Sequence, residues 1–80
     1  MEKRLENIKD EAIKILEPYS TIISAVVMPD IEGIQLMVEP KPEVPFDTFD
    51  NFKEMIKQSE IVITQYYIMR QIMLMIWIKH

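Results

Sequence analysis

Five prolines, Pro18, Pro29, Pro40, Pro42 and Pro45, fall between positions 18 and 45 of this 80-residue chain. Each removes a backbone donor and locks φ, so a helix interior or a central strand must stop beside it. They leave one uninterrupted segment before position 18, a middle stretch punctuated at 29, and a proline-free half after 45. The elements have to fit those windows.

Residues 2–17 place Leu5, Ile8, Ala12, Ile15 and Leu16 at spacings of three and four, with Glu2, Lys3, Glu6, Lys9, Asp10, Lys14 and Glu17 elsewhere on the cylinder. That periodicity predicts an amphipathic helix over 2–17, ended by Pro18. Residues 21–28 are rich in Ile, Val and Thr, and Ile34, Leu36 and Val38 alternate with Gln35, Met37 and Glu39. Between them Pro29, Asp30 and Gly33 supply turn chemistry, with the only glycine expected where φ is positive, so residues 21–39 read as a β-hairpin.

Residues 40–46 form an extended proline-rich connector. Asp47 or Thr48 then caps an expected second helix, 48–58, with Phe49, Phe52, Met55 and Ile56 on one face. Residues 60–79 have strand composition on both sides of Met69, Arg70 and Gln71, which predicts a second hairpin whose turn lacks the usual Gly, Asn or Asp. One long bent strand, or a helical stretch through Ile68–Met75, is the competing reading. Laying residues 41–80 under 1–40 without a gap aligns helix with helix and turn 29–33 with turn 69–73. The pattern therefore admits a tandem helix-hairpin repeat. The expected fold is a single α+β domain in the order α-β-β-α-β-β, a four-stranded, mainly antiparallel sheet with both helices on one face.

Composition removes many functions. There is no cysteine, one glycine and one histidine, His80, so thiolate chemistry, cysteine-ligated metals and glycine-rich phosphate loops are excluded. No cofactor, metal or catalytic residue is expected. Asp30 with Glu32, and Asp47 with Asp50, are acid pairs at a turn and a helix start, where turn and capping preferences already demand them. Asp30, Glu32 and Glu39 lack the spacing of a calcium loop. All 13 acids lie in residues 1–60 and the net charge is −4, so direct nucleic-acid binding is not expected. The stacking platform that Tyr66, Tyr67 and Trp77 could form lacks the basic surround such sites use. Arg70 reads as a turn-exposed cation before it reads as an anion clamp.

Residues 61–78 are apolar at 14 of 18 positions, but Thr64, Gln65, Arg70 and Gln71 interrupt them and the longest unbroken run, 72–78, is seven residues. That is too short for a spanning helix, so no membrane partner is expected. The first residues, Met1, Glu2, Lys3 and Arg4, enter a charged amphipathic pattern with no apolar h-region. The default expectation is a cytoplasmic protein.

The last strand carries the functional signal. If Ile72, Leu74, Ile76 and Ile78 face the helices, Met73, Met75 and Trp77 face away, and Met37 and Tyr66 join them across the hairpins. A sheet face so apolar needs a cover. The leading expectation is a non-catalytic protein-interaction module, homodimeric through Met37, Tyr66, Met73, Met75 and Trp77. Self-coverage by the connector or a helix is the structural alternative. Two functional alternatives stand beside it: a compact acidic inhibitor whose carboxylates occupy a basic nucleic-acid-binding site on a larger protein, and a regulatory dimer that binds a small ligand.

Overall fold

The computed structural model of the chain describes residues 2–51, Ile56 and residues 61–79. Within them the molecule is α+β, one α-helix against a four-stranded antiparallel open sheet. Helix α1 (Glu2–Leu16) buries Leu5, Ile8, Ala12 and Leu16 on one stripe, as its three-and-four spacing requires. On the outer side Lys9 Nζ lies 2.8 Å from Glu6 Oε2 and 4.0 Å from Asp10 Oδ1, so one ammonium offsets two neighbouring carboxylates. Its hydrogen bond to Glu6 outweighs partial desolvation and raises the Lys9 pKa.

The helix ends as Pro18 dictates. Glu17 N–H still reaches the Ile13 carbonyl at 2.9 Å, after which the Leu16 carbonyl accepts from Tyr19 N–H at 3.0 Å and from the buried Ser20 hydroxyl at 2.9 Å. Those two donors satisfy a carbonyl that the helix leaves without its own partner.

The chain then forms β1 (Ser20–Met28) and β2 (Gly33–Pro40), followed after the connector by β3 (Ile61–Ile68) and β4 (Gln71–Ile78). Strand order across the sheet is β1-β2-β4-β3, so each hairpin is intact and the two meet through their second strands. The central strands bury every second residue: Ile34, Leu36 and Val38 in β2, Ile72, Leu74 and Ile76 in β4. α1 packs on β1 and β2. The β3 side of the same core is closed by Phe49 and Ile56, both buried, and by Gln65 Nε2 donating to the Phe49 carbonyl at 2.9 Å.

Four details differ from expectation. The helix expected over 48–58 falls largely outside the described residues, and what is described there is a 3-10 helix, Phe46–Asn51. The connector is not extended throughout, because Val44 N–H turns back to the Lys41 carbonyl at 2.9 Å. Gly33 does not carry the positive φ of the first turn; Glu32 does, at φ 49 and ψ 47, after a 3-10 turn over Pro29–Ile31. The glycine is used for space instead. A Cβ at Gly33 would stand 3.1 Å from Trp77 Cδ1, the residue facing it across β2 and β4. Finally, four residues separate β1 from β2 and two separate β3 from β4, so the gapless match of turn 29–33 to 69–73 is not kept.

A bulge sets the facing of β1. Ile22 pairs with Val38 and Ser24 with Met37, leaving Ile23 as an extra residue. Ile22 and Ala25, an odd number of positions apart, can therefore both pack on the core.

Candidate functional site

Alternation along four registered strands defines the second face of the sheet. On β4, Met73, Met75 and Trp77 alternate with the buried Ile72, Leu74 and Ile76. Cross-strand partners share a face in an antiparallel ladder. Met37 is opposite Met73, Tyr66 is opposite Met73 from the other side, and Val62 and Gly33 flank Trp77. The register thus brings Met37, Tyr66, Met73, Met75 and Trp77 to one surface.

Four further apolar residues belong there: Val26, opposite Gln35, and Met28, opposite Gly33, on edge strand β1; Val62, opposite Trp77; and Ile68, opposite Gln71. Sequence reading missed them because β1 and β3 carry apolar residues on both alternating sets of positions and show no clean period of two. Only the bulge and the pairing register assign their faces. Val26, Val62, Tyr66 and Ile68 expose between 43% and 49% of their surface, while Met37, Met73, Met75 and Trp77 are half-buried among their neighbours. Among the described residues no side chain on this face is buried, and the single buried residue is Gly33, beneath Trp77. The self-coverage alternative finds no covering element among the described residues.

Polar side chains share the face: Thr21 and Ser24 on β1, Gln35 and Glu39 on β2, Thr64 on β3 and Gln71 on β4. Gln35 Nε2 reaches Met73 Sδ at 3.2 Å, a weak bond that leaves the amide's carbonyl oxygen available. Glu39, at the end of β2, is the one charged residue on the four strands. In a chain whose residues are 28% charged, this segregation is itself informative.

Other candidates dissolve on inspection. Tyr66 and Tyr67 lie on opposite faces, so the trio with Trp77 is not a stacking platform. Tyr67 faces the helix side, opposite Ile72, and its hydroxyl donates to Asp50 Oδ1 at 2.9 Å. Partial burial, with that bond adding to it, raises the phenol's pKa. No group of three or more His, Asp or Glu residues that could hold a metal occurs among the described residues. A cleft of about 310 Å³ lies between the β3–β4 turn and the connector, lined by Lys41 and Arg70 together with Glu39 and the rings of Pro40, Pro42 and Pro45. Its charges are of both signs, which favours no particular ion.

No described helix is long and apolar enough to cross a membrane. Compared with protein-family models, curated proteins and solved structures, the chain matches none.

Proposed function

We propose that this chain is a small non-catalytic interaction module that self-associates by packing the open sheet face of one copy against that of another. The observation that carries this reading is a mostly apolar face with one charged residue on its strands, Glu39, and no buried side chain among the described residues. Strands of eight residues span about 26 Å and four of them about 19 Å, giving roughly 500 Å² of sheet face. Two such faces stacked remove about 1,000 Å² from water, the lower bound of a specific interface.

A second copy suits this surface better than a polar partner does. Each chain carries a net charge of −4, yet on the four strands that form the face Glu39, at one end of β2, is the one acid. Two copies therefore meet there without setting like charges against each other. Methionine adapts its shape to an opposing surface, and tryptophan is a frequent anchor of interfaces.

The two-helix and duplicated architecture belongs with this proposal. Gln35 and Met75, forty positions apart, face each other where the hairpins meet, which is the arrangement a duplicated hairpin would adopt about a local two-fold axis.

Sedimentation at micromolar concentration tests the functional reading. The wild type is expected at a multiple of the 9.5 kDa chain mass. Met75→Lys, which sets a charge at the centre of the face on a half-buried position, is expected to halve that mass with far-UV circular dichroism unchanged. A wild type that is monomeric at tens of micromolar, or a Met75→Lys variant of unaltered mass, overturns it.

A further inference from the structure

We infer that β3 pairs, edge to edge and antiparallel, with β3 of a second copy, joining two sheets into one of eight strands. The surface is distinct from the open face, and either interface can fail without the other.

Two strands lie at the sheet edges, β1 and β3, and they are not alike. β1 is interrupted by the bulge at Ile23. β3 lacks three of the devices that keep edges apart: Ile61–Ile68 contains no proline, no charged residue and no register shift against β4. Val62, Tyr66, Tyr67 and Ile68 are all exposed along it. The turn after β3 contains only Met69 and Arg70, which makes Ile68 and Gln71 the closing pair that exchanges backbone hydrogen bonds. The alternation then turns the N–H and C=O of Ile61, Ile63, Gln65 and Tyr67 away from β4. Among the described residues no other backbone group bonds to those of Ile61, Ile63 or Gln65.

The strand is complementary to itself. Overlap of all eight residues would set outward-pointing backbone groups against inward-pointing ones; of the two seven-residue registers that match them, the one that includes Ile61 places the two-fold axis at Thr64. Ile63 then exchanges backbone bonds with the partner's Gln65, and the reverse. On the open face Val62 meets the partner's Tyr66 and Thr64 meets its own copy. On the helix side Ile61 meets the partner's Tyr67. Aromatic with β-branched and threonine with threonine are favourable cross-strand pairs, and no charge meets a like charge. The pairing also sets two open faces side by side, so face packing on top of it gives a tetramer of two stacked eight-stranded sheets.

The chain has no cysteine, so single substitutions report contacts without background. Facing residues at a position that is not hydrogen-bonded across the new ladder lie about 4.5 Å apart at Cα, within disulfide reach of roughly 4.4–6.8 Å. Under mild oxidation Thr64→Cys is expected to form a covalent dimer at least tenfold faster than Val62→Cys, two residues away on the same face. A mixture of Val62→Cys and Tyr66→Cys is expected to cross-link to each other. The Thr64→Cys dimer is expected to persist in a Met75→Lys background, which separates this pairing from the face packing. Equal rates for Thr64→Cys and Val62→Cys overturn the inference, whatever the mass of the wild type.

Discussion

Met69 holds φ at 57°, in the left-handed region, with 94% of its surface exposed. It is the first residue of the two-residue turn between β3 and β4, and Arg70 after it does not share the positive φ. Positive φ at the first turn residue alone is the sign pattern of a type II′ turn, whose first position ordinarily takes glycine. Because the side chain is almost wholly in solvent, Met69→Gly removes backbone strain and almost no packing. A left-handed L-residue costs roughly 1–2 kcal/mol. Glycine gives back roughly 0.5–1 kcal/mol through the greater freedom of the unfolded chain. The net is a stabilisation of about 0.5–1 kcal/mol. With an m-value near ~1 kcal/mol/M for a chain this small, the urea midpoint rises by about 0.5–1 M at fixed protein concentration. Arg70→Gly, one position on, meets no strain and is expected to lower the midpoint by a similar amount. Trp77 fluorescence follows both transitions. A Met69→Gly midpoint at or below the wild type, with m unchanged, would refute the assignment of strain to this residue.

Leu74 is fully buried between the central strand and the helix layer, so Leu74→Ala is expected to cost about 2–5 kcal/mol, a large share of the stability of a domain this size. Met75→Ala, its neighbour on the open face, should cost about 1 kcal/mol in dilute solution, where face packing has dissociated. Equal costs measured by urea denaturation would show the open face to be packed already. The Tyr67 phenol is raised from its ordinary value of 10.0, chiefly by partial burial and then by Asp50. Its stabilising contribution is present in full below the unfolded phenol's pKa and is lost as the pH rises through the folded one. Ultraviolet titration should show one tyrosine ionising late, and Tyr67→Phe should remove that component; its persistence in the variant would assign it elsewhere.

Much of this was legible in local pattern. The spacing of Leu5, Ile8, Ala12 and Leu16 gives the helix its buried stripe, and the strict alternation of residues 72–78 separates Leu74 from Met75 without reference to any other strand. Both are properties of a few consecutive residues under a fixed period. The turn at Met69 was hard to read because its residue types argue against the conformation they adopt. There the ladder between Ile61–Ile68 and Gln71–Ile78 imposes a positive φ that local preference would refuse. Gly33 shows the converse. A lone glycine after an Asp-containing turn suggests positive φ, yet the indole of Trp77, more than forty residues later, is what occupies the space a Cβ would fill.

By itself, then, the amino-acid order determined the first helix and its boundary at Pro18, the four strands and the two faces of β4, because short-range sterics and burial periodicity act within a window of residues. The tertiary structure decided that the hairpins join through β2 and β4, that the bulge at Ile23 turns Val26 outward, and that Tyr66 and Tyr67 part to opposite sides. Those outcomes depend on which distant backbones share hydrogen bonds, and a one-residue change of register would reverse every facing on a strand. The apolar face was written into β4; its width, and the place of β3 at the sheet's edge, came from the order in which four strands assembled.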